Sequence, residues 1–191
     1  MNNEKIEVNP GISPYPMSVV IIGAMVNDNP NYMTVAWFAK LHGRPNIWGF
    51  SIGKEQYTLE GIQRNREFSI NIPNQELIEK TDYAGIVSGR NENKSELFHT
   101  FYGSSGSIPM IRECPLTAEC KVYEIVDLPR VSLVLGEIVS AYTEDRFLTN
   151  GILDPVKINA FTFTQPDNHY WSIGDVVGNA FSDGKKLSTS E

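Results

Sequence analysis

The chain is poor in the residues that most often announce a chemistry. It holds two cysteines and three histidines among 191 residues. Cys114 and Cys120 stand six positions apart, neither a C-x-x-C redox pair nor a metal framework, and read as two reduced thiols of a cytosolic protein. His42, His99 and His169 are scattered, with no H-E-x-x-H and no paired Cys/His spacing, so no metal site is indicated. No glycine lies two positions from another, which removes the G-x-G-x-x-G dinucleotide turn; a Walker A loop and a G-x-S-x-G elbow are missing too. Positive charge is also short. Sixteen basic against 23 acidic side chains give a net charge of −7, which argues against a nucleic-acid or anionic-membrane partner. The longest apolar run, "MSVVIIGAMV" at 17–26, is about half the ~20 residues of a spanning helix, and the N-terminus lacks a secretory pattern. The expectation is a soluble, cytoplasmic protein.

What is present is ordinary globular material: 41% apolar and 20% charged residues, enough for one domain over 1–191 with a buried core. No repeat or low-complexity tract appears. The pattern is mostly strands. They are expected at 17–25, at 32–40 ("YMTVAWFAK") and at 46–52 ("NIWGFSI"). "EFSINIP" alternates Phe68, Ile70 and Ile72 against Ser69 and Asn71, the mark of a strand with one face in the core. Further strands follow at 118–126, 131–142 and 158–163, with Val131, Leu133, Leu135 and Val139 sharing a face. Helices are expected at 58–66, 74–87 and, shorter, within "NKSELFHTF". "YGSSGSIPM" at 102–110 reads as a flexible connector. Many strands with few short helices predict an antiparallel barrel or sandwich, and a barrel is preferred because closure removes exposed edges.

Three segments carry the chemical interest. In "SIGKEQYTLEG" (51–61), Thr58 is placed to cap a helix, and the same turn gathers Ser51, Lys54 and Tyr57 where a helix N-terminus would favour an anion. In "NYMTVAWF" (31–38), small Ala36 would admit a flat ligand to the backbone and Trp37 would wall it in, although an aromatic in a strand is more often plain core. In "TDYAGIVSGR" (81–90), Asp82, Tyr83, Ser88 and Arg90 crowd around two glycines, as a site or as a solvated helix end.

Taken in order, these segments, with "FSINIP", "DYAGIVSGRNENK", "ECPLTAECKV", "LVLGEIVSAY" and "YWSIGDVVGNAFSDGKKL", resemble the flavin reductase-like, FMN-binding split-barrel family, most closely its flavoredoxin branch. The likeness spans roughly residues 14 to 187. It implies a mainly β fold, a six-stranded antiparallel Greek-key split barrel with a few peripheral helices, working as a homodimer with FMN near the subunit interface. By the same resemblance Thr34, Val35, Ala36 and Trp37 would lie against the isoalloxazine ring. Ser51, Lys54, Tyr57 and Thr58 would hold the phosphate, and Asn71 would reach toward the ribityl chain or ring edge. Tyr83, Ser88 and Lys94 would line the same pocket. "LHGRPNIWG" departs from the family's shorter link after the tryptophan, so His42, Arg44 and Trp48 are expected to reshape access to the flavin.

No side chain is required as a general acid or base, because the flavin supplies the redox chemistry. Two functions follow from the resemblance: an NAD(P)H-dependent flavin oxidoreductase, and a flavoredoxin-type carrier reduced by a protein donor. A barrel that senses a ligand without turnover is the third.

Overall fold

The apolar run near the start is buried on both sides. In the computed structural model, which describes residues 4–187, a two-residue strand β1 (Met17–Ser18) precedes β2 (Val20–Val26). Val20, Ile22 and Ala24 enter one core while Ile21 enters another, so the strand shows continuous hydrophobicity instead of alternation. Asn27 and Asp28, at φ 48° and 63°, turn the chain tightly into β3 (Asn29–Val35). Such two-residue hairpins need left-handed backbone, which Asn and Asp accept at little cost.

The strand expected over 32–40 is interrupted. Ala36 and Trp37 leave the ladder, and the chain resumes as β4 (Phe38–His42), paired with β5 (Ile47–Gly53). Next come α1 (Tyr57–Asn65), β6 (Glu67–Ile72), a 3-10 turn at Gln75–Leu77 and α2 (Ile78–Ile86). β7 (Thr100–Tyr102) pairs with β8 (Pro109–Ile111), and β9 (Leu116–Asp127) forms a long hairpin with β10 (Val131–Thr143). The chain continues through β11 (Leu148–Thr149), β12 (Ile152–Leu153), α3 (Pro155–Ile158), β13 (Phe161–Thr164) and β14 (His169–Ser172).

The main sheet runs β3-β2-β6-β9-β10-β5-β4 with every neighbouring pair antiparallel. Its two edges, β3 and β4, are halves of one broken strand. Seven ladder segments therefore make six strands, and the chain carries one edge round to the other. At that seam the Ser51 N–H donates to the Trp37 carbonyl at 3.0 Å, extending the β4–β5 pairing by one residue into the link. The fold is the expected mainly β split barrel with few helices. Phe50, Ile52, Phe68, Ile70 and Val134 fill its interior, and Leu59 and Ile62 of α1 plug one end. A second core, with Tyr32, Phe98 and Ile111, lies between the outer sheet face, α2 and the segment leading to β9.

Several local expectations are corrected. β6 is buried on both faces: Ser69 and Asn71 are fully buried because β8 packs over the side the alternation assigned to solvent. The inward face of β10 is Ser132, Val134 and Gly136, whereas Val139 is exposed. Gly136 faces inward because the Phe68 ring fills its side-chain space: a Cβ there would stand 2.3 Å from Phe68 Cζ. "NKSELFHTF" is not a helix but a run of turns into β7, which lets Lys94 and Phe98 both point inward.

The supposed flexible connector is pinned by a buried carboxylate. Glu119, fully buried on β9, accepts from the Ser105 N–H and hydroxyl, the Ser104 hydroxyl and the Tyr142 hydroxyl. Burial pushes its carboxyl up, but the bonds from Ser105, Ser104 and Tyr142 outweigh that and hold it below the usual carboxylate range. A depressed folded-state pKa contributes stability that is present above the unfolded value and lost as pH falls through the folded one. Urea unfolding should therefore show stability level above about pH 5 and declining below about pH 4, and Glu119→Gln should flatten that decline. Glu119→Ala should cost roughly 2–4 kcal/mol at neutral pH by orphaning the loop donors.

Candidate functional site

β3 is the rail on which the three sequence segments meet. At its start, the Asn31 amide donates to the Thr58 hydroxyl at 2.7 Å, holding α1. Further along, the Thr34 hydroxyl donates to the Thr81 carbonyl of α2. At its end, Val35 pairs with Val20 and is buried, and the seam bond from Ser51 holds the Trp37 carbonyl. The N–H groups of Ala36 and Trp37 lie outside the ladders and have no acceptor among the described residues. Beside them is a hollow of about 440 Å³ whose walls include Ile12, Pro14, Pro16 and Met17 with Ala36 and Trp37. Trp37 is half exposed. The proline-punctuated N-terminus that forms one wall carried no motif by which its place could be read.

The β5–α1 turn offers the anionic end. α1 begins at Tyr57, and its N-cap is Gln56, whose side chain makes no capping bond. Thr58 is the second helical residue, not the cap, because Asn31 has taken its hydroxyl. The first N–H of the helix to find a carbonyl is that of Leu59, on Gln56, so the amides of Tyr57 and Thr58 point off an open N-terminus. Lys54 belongs to this turn, and its ammonium stands 3.4 Å from Asp127 Oδ1, with both side chains exposed. Such an exposed pair is weak and leaves the charge available.

The third segment closes over β3 from the α2 side. Gly89 lies so near Asn31 and Tyr57 that a Cβ would stand 2.1 Å from Asn31 Oδ1. Arg90 lies over the Tyr57 ring, 5.2 Å from its centroid, and pairs with Glu60 of α1. The Ser88 hydroxyl accepts from the Arg90 N–H, and Tyr83 is partly exposed on α2. The Tyr170 hydroxyl donates to Asp82 at 2.8 Å, docking β14 on the same helix. Burial and the Asp82 carboxylate raise the Tyr170 pKa.

Of the residues expected at the site, Thr34, Ala36, Trp37, Ser51, Lys54, Tyr57, Tyr83 and Ser88 are exposed or half-buried, whereas Val35, Thr58, Asn71 and Lys94 are buried. Asn71 is fully buried; its amide donates to the Ile21 carbonyl and Ser69 hydroxyl, and its oxygen accepts from the Ile111 N–H. It fastens the outer layer to the barrel. Lys94 is buried beneath the end of α2, donating to the Ala84 and Val87 carbonyls at 3.0 and 2.9 Å. The helix dipole favours a cation there, although burial lowers the ammonium pKa to about 8. His42, Arg44 and Trp48 belong to the β4–β5 hairpin: His42 Nδ1 meets the Pro45 carbonyl, and Trp48 packs edge-on against Phe38. Asn31 was not legible as a site residue, since its partners are far along the chain.

Among the described residues no group of side chains could hold a metal, and no helix is long and apolar enough to cross a membrane. The flavin reductase like domain model matches residues 12–154. The structure is similar to flavoredoxin from Methanosarcina acetivorans, with TM-score 0.94 and 41% identity over 96% of this chain and 99% of that one. It is also similar to flavoredoxin of Desulfovibrio vulgaris, with TM-score 0.87 and 28% identity over 95% and 99%. A protein of Archaeoglobus fulgidus is 33% identical over 135 residues, 70% of this chain and 76% of its own. With three quarters of its length matched and the barrel, seam and open helix end in place, the chain belongs to the flavin reductase-like domain family.

Proposed function

We propose that this protein is an FMN-binding oxidoreductase, reduced by NAD(P)H and passing electrons onward from the flavin. The observation that carries the reading is two sets of unused backbone donors, Ala36 and Trp37 beside the apolar hollow and Tyr57 and Thr58 at the α1 N-terminus, which Asn31 ties to β3. The chemistry of this donor set fits FMN. Its phosphate suits the open helix end, in the turn that also carries Lys54. Its ring suits the apolar hollow, where Ala36 leaves the backbone approachable and the free amides of Ala36 and Trp37 would donate to polar ring atoms. Bound there, the flavin supplies hydride and single-electron chemistry. The chain's own residues would hold and orient it: Trp37 would wall the ring, the Ser51 bond fixes the backbone at Trp37, and Arg90, stacked on Tyr57, would brace the phosphate end.

The working unit of this reading is a cytoplasmic homodimer. Support comes from exposed Tyr123, Val126 and Leu128 at the tip of the β9–β10 hairpin, and from two buried, unpaired cysteines that need no oxidising compartment. Likeness to two flavoredoxins supports the redox role.

The purified protein, reconstituted with FMN, should absorb near about 450 nm and bleach at a catalytic rate when NADH or NADPH is added anaerobically. Bleaching only by a ferredoxin-type donor would replace the nicotinamide with a protein as electron source, and failure to retain FMN would sink the reading. In fluorescence titrations, Lys54→Ala should weaken FMN binding about threefold to tenfold at low salt, with the difference shrinking as salt rises. Ala36→Leu should weaken it more than about tenfold at any salt, by filling the approach to the backbone, while circular dichroism stays unchanged.

A further inference from the structure

Charge is spread unevenly along this chain. Of its 23 acidic side chains, none falls between residues 29 and 54, yet that stretch carries Lys40, His42, Arg44 and Lys54. Lys54 reaches Asp127, whereas Lys40 and Arg44 have no carboxylate partner among the described residues. Both belong to the β4–β5 hairpin, where every residue from 39 to 45 is exposed. His42 Nδ1 meets the Pro45 carbonyl at 2.8 Å and so braces the turn that holds Arg44. Leu41 is 52% exposed and lies across Gly49, where a Cβ would stand 2.4 Å from its Cδ1. The hairpin is a cationic finger with an apolar patch, on a molecule whose net charge is −7.

β4 is an edge of the main sheet, and charged side chains commonly guard such edges against further pairing. A guard works with either sign, and acidic residues are the commoner choice elsewhere in this chain. The exclusion of carboxylates from the whole hairpin points to an anionic ligand.

The strand register says which anion can reach it. β5 ends at Gly53, just before the α1 turn. Running back along it, Ser51 bonds the Trp37 carbonyl, Phe50 pairs with Phe38, Trp48 with Lys40 and Ile47 with His42. The hollow includes Ala36, Trp37 and Phe38 in its wall, so the hairpin leaves it in the direction away from the α1 N-terminus. From Phe38 to His42 the strand advances roughly 13 Å. A flavin phosphate at α1 and the hairpin cations therefore lie on opposite sides of the ring, and a second anion meets the hairpin without displacing the first. A dinucleotide with its nicotinamide on the ring and its length along β4 brings its pyrophosphate near the ring and its adenosine to the hairpin. There NADH offers only a 2′-hydroxyl. NADPH offers a phosphate monoester, which a guanidinium can hold through two parallel N–H···O bonds. An acidic protein fits less well. It is larger than the Debye length of about 8–10 Å and meets the −7 of the whole molecule, whereas a single phosphate meets the hairpin alone.

We propose that the β4–β5 hairpin is a phosphate-monoester site that selects NADPH over NADH, with Arg44 and Lys40 on the 2′-phosphate and Leu41 against the adenine. The catalytic meaning of the site rests on the flavin oxidoreductase reading, but its affinity for the phosphate can be measured without turnover.

In the first measurement, calorimetry at low salt with excess FMN compares 2′,5′-ADP with 5′-AMP on the full chain. The protein should bind 2′,5′-ADP at least about fivefold more tightly, and the double variant Lys40→Ala, Arg44→Ala should close the gap. Equal affinity for the two nucleotides, or a gap that survives the substitutions, would leave the hairpin as an edge guard only and overturn the proposal. In the second, anaerobic stopped-flow reduction gives the ratio of kcat/KM for NADPH to that for NADH. It should exceed about 10 at low salt, and fall about fivefold or more both in the double variant and at high salt. A ratio that neither change moves would overturn selection by the hairpin. If 2′,5′-ADP binds through Lys40 and Arg44 while neither dinucleotide bleaches the flavin, the phosphate site is upheld and the nicotinamide-driven function is overturned instead.

Discussion

The architecture depends on one strand that is allowed to break. β3 and β4 are a single run of sequence, yet they occupy opposite edges of the sheet, and the two residues between them must span the seam. A continuous strand would pair along its whole length with β2 and leave β5 with an open edge. The break lets the first half pair with β2 and the second with β5, and the Ser51–Trp37 bond carries the β5 pairing back into the break. Closure on these terms leaves the intervening amides without ladder partners. Barrel formation and the donors of the site are therefore the same event.

The rest of the site follows from what β3 holds. Asn31 fixes α1, Thr34 fixes α2, and Gly89 lets the chain after α2 approach both Asn31 and Tyr57. None of these contacts needs a ligand. The buried polar groups around them, Asn71, Lys94 and Glu119, each find backbone or hydroxyl partners, as groups removed from water must. They make the frame rigid, and the unspent donors are left at the surface where a ligand can reach them. This division explains why Asn71 and Lys94, polar and close to the site in sequence, serve the frame.

Much of this was legible in the sequence, because periodicity and turn chemistry are local. The strands, α1 and α2 could be read from apolar spacing, and the three site segments from small, hydroxylic and basic residues beside glycine. What could not be read depended on distant partners. Thr58 looked like a cap, and only Asn31, on another strand, diverts its hydroxyl. Ser69 and Asn71 alternate as solvent-facing residues do, but the layer that covers them comes from β8, some forty residues on. "YGSSGS" has the composition of a flexible link, and the carboxylate that fixes it belongs to β9. The break at Ala36 was hidden for a further reason: its residues continue the strand's alternation without a proline or glycine to mark the interruption.

β2 takes part in both cores, sending Val20, Ile22 and Ala24 to one side and Ile21 to the other. Layers that share a strand have no plane along which one can separate from the other. α2 and the segment over the outer face therefore cannot loosen while the barrel stays intact, unless β2 itself gives way. The domain is built to unfold as one cooperative unit, and the surface that borders the ligand inherits the stability of the whole.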